Sequence, residues 1–125
     1  MEQVLQFLKD AKVYYLATMD GDRPRVRPFG GISAFEGKLY IPTNNKKKVF
    51  SQMIKNPNVE ICAMAHGKWI RIEAEVVSDT RREARQAMLD AYGEALARMY
   101  SIDDGVFEVL YLKNATLELR LKAGA

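Results

Sequence analysis

Apolar positions change their spacing several times along the chain, and each change marks an element. Val4, Leu5, Phe7 and Leu8 fall on one side of a helical pattern over residues 2–10. Residues 13–19 are β-branched and aromatic, and Asp20-Gly21-Asp22 supplies a tight-turn signal, which predicts strand, hairpin, strand. The returning segment, residues 23–32, alternates with period two, so Arg23, Arg25 and Arg27 share one face and Val26 takes the other. Pro24 and Pro28 cannot donate to a ladder and put this segment at a sheet edge, at a bulge or in a bend. Gly30-Gly31 lets another backbone or a flat ligand come close.

A further hairpin spans residues 34–42, turning at Glu36-Gly37, and leads through Thr43-Asn44-Asn45-Lys46-Lys47-Lys48 into a helical pattern. That pattern, residues 46–55, buries Val49, Phe50, Met53 and Ile54 and ends at Asn56-Pro57, since the residue before proline is pushed out of the α region. Residues 59–65 and 69–77 read as an antiparallel pair across His66-Gly67-Lys68. In the second, Trp69, Arg71, Glu73 and Glu75 lie on one face, opposite Ile70, Ile72, Ala74 and Val76. Thr80-Arg81-Arg82-Glu83 has the form of a capping box, and Ala84, Ala87, Met88 and Ala91 make the inward stripe of the helix it opens. Gly93 interrupts that stripe, and Ala95, Leu96, Met99 and Tyr100 continue it to about Ser101. Two last alternating runs, residues 106–112 and 115–121, hinge at Lys113-Asn114. Consecutive hairpins, giving six to seven strands beside three to four helices, predict a mainly β antiparallel fold with helices, a small β-barrel closing on itself.

Composition narrows the class. A length of 125 residues, 48% of them hydrophobic, with no linker-like stretch, predicts a single domain over residues 1–125. The formal net charge is +3, but 19 basic residues are interleaved with 16 acidic ones, which suggests a local anion site and no nucleic-acid partner. Cys62 sits among Val59, Ile61, Ala63 and Met64; it has no internal disulfide partner and reads as a small core residue. One His and one Cys are too few soft ligands for a typical zinc or iron site, so no metal is expected. No run approaches the roughly 18 apolar residues of a membrane span. Glu2 and Asp10 stand where a signal peptide needs a basic start, so a cytoplasmic protein without a membrane partner is predicted. His66 has no Ser or Cys at a diagnostic spacing, and neither G-x-S-x-G, G-x-G-x-x-G nor a Walker A sequence occurs.

Candidate chemistry concentrates at Thr43–Lys48. A strand feeding a helix there presents a hydroxyl, free backbone N–H groups and three ammonium groups. Cations at a helix start oppose the macrodipole by roughly 0.3–1 kcal/mol each when exposed. A bound anion reverses that sign, so the stretch reads as a phosphate site. The Arg triplet with its prolines and glycines, and the Trp69/Arg71 face, are two further constellations. Neighbouring strands would gather all three around one anionic, planar ligand.

The order Arg25-Val26-Arg27-Pro28-Phe29-Gly30, then Leu39-Tyr40-Ile41-Pro42-Thr43-Asn44-Asn45-Lys46-Lys47-Lys48-Val49-Phe50, then Asn56-Pro57-Asn58-Val59-Glu60-Ile61, then Trp69-Ile70-Arg71-Ile72, resembles the small FMN-binding split-barrel proteins related to pyridoxamine 5'-phosphate oxidase. Within these it is similar to the short members grouped with nitroimidazole-resistance (Nim-type) proteins. The resemblance implies a homodimer of six-stranded antiparallel split barrels with FMN at the subunit interface. It implies a flavin-dependent oxidoreductase acting on a small molecule or electron acceptor, a nitro compound among the candidates. By position, Arg25, Val26, Arg27 and Pro28 would line the isoalloxazine and ribityl part of FMN. Thr43, Asn44, Lys46, Lys47 and Lys48, with Lys48 foremost, would hold the phosphate. Trp69 and Arg71 would complete the pocket. The last residues, Leu119-Arg120-Leu121-Lys122-Ala123-Gly124-Ala125, lack the longer basic segment of a true pyridoxamine phosphate oxidase, so vitamin B6 oxidation is not expected. An FMN carrier without turnover, a deazaflavin reductase and a basic nucleic-acid-binding module are the alternatives.

Overall fold

The computed structural model describes residues 1–121. Helix α1 (Glu2–Ala11) precedes strands β1 (Tyr14–Asp20), β2 (Arg23–Phe29), β3 (Ser33–Phe35) and β4 (Lys38–Asn44). Helix α2 (Lys48–Lys55), strands β5 (Asn58–Ala65) and β6 (Lys68–Asp79), helices α3 (Arg82–Tyr92) and α4 (Glu94–Ala97), and strand β7 (Phe107–Leu121) follow. The strands form one seven-stranded sheet in the order β2-β1-β5-β6-β7-β4-β3, with each neighbouring pair among the described residues antiparallel.

Turn chemistry explains the hairpins. Glu36 and Gly37 in the β3–β4 turn, and His66 and Gly67 in the β5–β6 turn, all have positive φ, the requirement of a two-residue turn matched to strand twist. Strand β2 is an edge of the sheet, where its two prolines cost no ladder bond.

Two expectations change. Among the described residues seven strands form, within the six to seven read from the pattern and not the six that the resemblance implies, and the end strands β2 and β3 do not pair, so the sheet is open instead of closing on itself. The last two runs are one strand, β7, because β6 pairs with it on both sides of residue 114. The expected hinge is a β-bulge: between Glu73 and Glu75 the register slips, and Asn114 takes a φ of 54° to absorb the extra residue.

One face of the sheet carries the main core. Leu16, Ile41 and Ile61 are wholly buried there beneath α1 and α2, with Leu8 of α1 among them. Such a side chain contributes about 1.5–3 kcal/mol when fully buried. Around β4 both faces are covered: Leu39 and Ile41 point into the main core, and Tyr40 points the other way into a second cluster with Ala84 and Met88 of α3.

Asp79 fastens α3. Its carboxylate accepts the Tyr40 hydroxyl at 2.6 Å and the Arg81 backbone N–H at 3.1 Å, while the Arg81 guanidinium bridges Asp79 to Glu36. The expected Thr80 capping box is therefore displaced: Arg81 is the N-cap residue, without a side-chain cap, and Asp79 accepts the N–H through a local turn. Cys62 also differs from expectation. Strand β5 alternates strictly, burying Val59, Ile61 and Ala63 and turning Cys62 and Met64 outward, so the thiol is exposed.

Candidate functional site

The unpaired sheet edges leave a mouth, and a cleft of about 400 Å3 occupies it. One wall is the end of β2 with the two glycines after it, Arg27 to Gly31, the other is Pro42 and Thr43 of β4, and Lys47 and Val49 stand at the start of α2. Tyr92, Leu96, Met99 and Tyr100 roof it. The size falls in the roughly 300–1,000 Å3 range of small-molecule sites.

The β2 side is held by backbone. The Tyr14 hydroxyl donates to the Gly31 carbonyl, and the Ile32 N–H donates to the Tyr92 hydroxyl. Gly31 is required by contact: a Cβ there would lie 2.3 Å from Pro42 Cγ. The close approach expected of Gly30-Gly31 is thus to the neighbouring strand.

Period two turns Thr43 inward with Ile41. Thr43 is 4% exposed, and its Oγ1 has no hydrogen-bond partner among the described residues. A buried hydroxyl left without a partner costs about 1–3 kcal/mol. Beside it begins α2. Lys47 is its N-cap with no side-chain cap, and although the Phe50 N–H bonds the Lys47 carbonyl, the N–H groups of Lys48 and Val49 find no acceptor among the described residues. A helix start with free N–H groups favours an anion. Arg27 and Lys47 are charged residues of the lining, and among the described residues no carboxylate lines the cleft with them.

Arg27 is tied down on its inner side. Nη1 donates to the Thr18 hydroxyl at 2.7 Å and to the Leu16 carbonyl at 3.1 Å, and Nη2 donates to Gln52 Oε1 at 2.9 Å. Burial, with Arg25 nearby, lowers its pKa from the ordinary arginine value.

The cleft brings together Arg27, Pro28, Thr43 and Lys47, and the other predicted site residues lie elsewhere. Asn44 is not in the lining: its Nδ2 donates to the Tyr100 hydroxyl at 2.7 Å and its Oδ1 accepts the Lys46 N–H at 3.0 Å. It thereby shapes the turn and holds the roof. Lys46 is exposed outside the lining. Lys48 points to the far side of the helix start, into a groove with Asp20, Ser51 and Lys55. Arg25 pairs with Asp20 at 3.3 Å in solvent, and Val26, 68% exposed, faces the opposite side of the sheet.

Trp69 and Arg71 lie on that opposite face. The Arg71 guanidinium sits 5.0 Å over the Trp69 ring and pairs with Glu60 and Glu118, and Trp69 Nε1 is buried without a partner. A wider concavity of about 540 Å3 on this part of the sheet is lined by Glu60, Glu73 and Glu75 with no Lys or Arg, so its charge disfavours a phosphate. His66 is also away from the cleft; its Nε2 lies 2.8 Å from Asp10 Oδ2, joining the β5–β6 turn to α1. No group of His, Cys, Asp and Glu among the described residues is arranged to hold a metal. No helix among them is long and apolar enough to cross a membrane.

The roof is what the sequence did not reveal. Tyr92, Leu96, Met99 and Tyr100 fall on the spacing of a core-facing stripe, and only the break at Gly93 (φ 49°, ψ −123°) swings their segment across the mouth.

Residues 1–120 match the family model described as pyridoxamine 5'-phosphate oxidase. A NimC/NimA family protein from Clostridium acetobutylicum is 52% identical, with 95% of this chain and 86% of that chain covered and a TM-score of 0.91. A pyridoxamine 5'-phosphate oxidase-related, FMN-binding protein from Nostoc punctiforme is 16% identical over 98% of this chain and 82% of its own, with a TM-score of 0.68. An FAD-binding protein from Mesorhizobium loti, also 16% identical, covers 93% and 91% with a TM-score of 0.67. These last two share the fold. No curated protein matches the chain.

Proposed function

The chain belongs to the pyridoxamine 5'-phosphate oxidase family, and on that premise we propose that it binds FMN in the cleft between β2 and β4 and acts there as an oxidoreductase on a small molecule, a nitro compound being one candidate. The observation that carries this reading is the Thr43 hydroxyl, buried and unpartnered beside a helix start with free N–H groups. A phosphate oxygen satisfies both. It supplies an acceptor for the hydroxyl and the N–H groups, and its charge offsets Lys47.

The remaining parts follow from the lining. Arg27 and Pro28 border the ribityl and ring end, where Gly30 and Gly31 present backbone without side chains. Tyr92 and Tyr100 give the roof an aromatic character suited to a flat ring system. When bound, the flavin supplies the electron transfer, and the protein contributes position, exclusion of water and a cationic environment.

The proposal includes a homodimer. Exposed Tyr15, Val26 and Met64 on the face away from the main core, with Trp69 beneath Arg71, make an apolar patch suited to a second copy.

The test is the visible absorption spectrum of the protein as purified, and again after incubation with FMN and gel filtration. Retained flavin bands are expected. A protein colourless in both samples overturns the proposal. Reduction of the bound flavin by NADH or NADPH, followed by reoxidation with a nitroaromatic, separates an oxidoreductase from a carrier.

A further inference from the structure

Among the described residues Arg27 is a half-buried guanidinium without a carboxylate within ion-pair distance. Arg25, Arg71, Arg81, Arg82 and Arg98 each have one, whereas half-buried Arg85 also lacks one but bonds the Thr80 carbonyl and stands outside the cleft. Its inward contacts are all neutral: a backbone carbonyl, a hydroxyl and an amide oxygen. Burying part of a cation against neutral acceptors is unfavourable unless something else uses the charge.

Donor accounting shows what is left over. Both Nη1 hydrogens are engaged, by Leu16 and Thr18, and one Nη2 hydrogen is engaged by Gln52. The Nε–H and the second Nη2 hydrogen have no acceptor among the described residues, and Arg27 lines the cleft. The Gln52 amide oxygen also accepts the Thr18 hydroxyl at 2.7 Å, which closes a triangle across three elements, β1, β2 and α2. A neutral triangle fixes the plane of the guanidinium and leaves its charge unspent.

We infer that Thr18 and Gln52 are positioning residues: they clamp the inner edge of the Arg27 guanidinium so that its two spare donors and its uncompensated charge meet the ring end of a flavin held in the cleft. This rests on the FMN reading of the site. The choice of a neutral amide at position 52 is then functional. A carboxylate there would clamp the same guanidinium equally well and cancel its charge.

Three variants test it: Thr18→Val, Gln52→Leu and Gln52→Glu, each compared with the parent for FMN affinity by fluorescence quenching and for the midpoint potential of the bound flavin. Thermal unfolding without FMN serves as the control for folding. Thr18→Val and Gln52→Leu release the clamp and are expected to weaken FMN binding by about ten- to a hundred-fold, the effect of losing a well-placed hydrogen bond from a charged donor. Gln52→Glu keeps the clamp, so its affinity is expected to stay within about threefold of the parent. Its potential should shift to a more negative value, because a neutralised Arg27 no longer favours the electron-rich form of the ring. A merely structural role for Gln52 would not move the potential in a folded, FMN-loaded protein. Parent-like affinity for Thr18→Val and Gln52→Leu, or an unchanged potential for Gln52→Glu, overturns the clamp while leaving FMN binding intact. Failure of the parent itself to bind FMN overturns both readings together.

Discussion

Thr43→Val separates what the fold needs from what the ligand needs. The substitution keeps the branched shape and removes only Oγ1, an atom that is buried and bonded to nothing among the described residues. In the free protein the hydroxyl is a liability, and removing it eliminates a desolvation cost of about 1–3 kcal/mol. Valine also suits the strand. A gain of about 1 kcal/mol in a chain of this length raises Tm by roughly 3–5 °C. In the complex the sign reverses. A hydrogen bond to a charged phosphate contributes about 1.5–3 kcal/mol, so losing it weakens FMN by about 10- to 150-fold at 1.4 kcal/mol per factor of ten. The assay pairs thermal unfolding without ligand with an FMN fluorescence titration. A variant that is less stable than the parent, yet binds FMN equally, refutes the reasoning, because the hydroxyl would then be serving the fold and not a ligand.

Other perturbations read other parts of the site. Lys47→Ala should weaken FMN by several-fold, whereas Lys48→Ala, in its separate groove, should change the dissociation constant by less than about twofold, a surface charge screened by solvent; the reverse order in the same titration restores Lys48 to the phosphate. Gly31→Ala places a methyl 2.3 Å from Pro42 Cγ and should destabilise the fold by about 1–3 kcal/mol, read as a lower urea midpoint with unchanged slope. The Arg81 guanidinium holds the Asp79 carboxyl down to about 2, against an ordinary 3.8. A carboxyl whose pKa is depressed by folding stabilises fully above about pH 4 and loses that contribution as pH falls through 2. With allowance for solvent around half-exposed Arg81, the contribution is about 1–2 kcal/mol. Asp79→Asn should flatten the acid limb of the stability–pH curve by that amount.

The hairpins were legible because their turn residues carry the signal locally: Glu36-Gly37 and His66-Gly67 adopt the positive φ their turns demand. The edge position of β2 was legible from its prolines. Thr43 and Lys47 were legible as neighbours in one site because strand, hydroxyl and helix start are contiguous, and both line the cleft. Three features were not. Gln52 lies 25 residues from Arg27, on a helix whose buried stripe says nothing about a polar neighbour. The roof residues carry ordinary core spacing and are placed only by the backbone break at Gly93. The outward turn of Cys62 was hidden because apolar residues flank it on both faces of β5, so composition suggested the core where alternation dictated the surface.

The break at Gly93 has a consequence for how such a cleft can be altered. The roof segment leaves α3 at one positive-φ glycine and comes back to the sheet past another, Gly105, and no side chain of α4 is fully buried. Tyr100 fastens it through one hydrogen bond to Asn44 and a stacked contact with Phe107. The stretch is therefore an exchangeable cassette: its residues can be rewritten to suit a different guest while the strands, the helix start at Lys47 and the main core remain as they are, provided positions 96 and 100 still cover the second cluster.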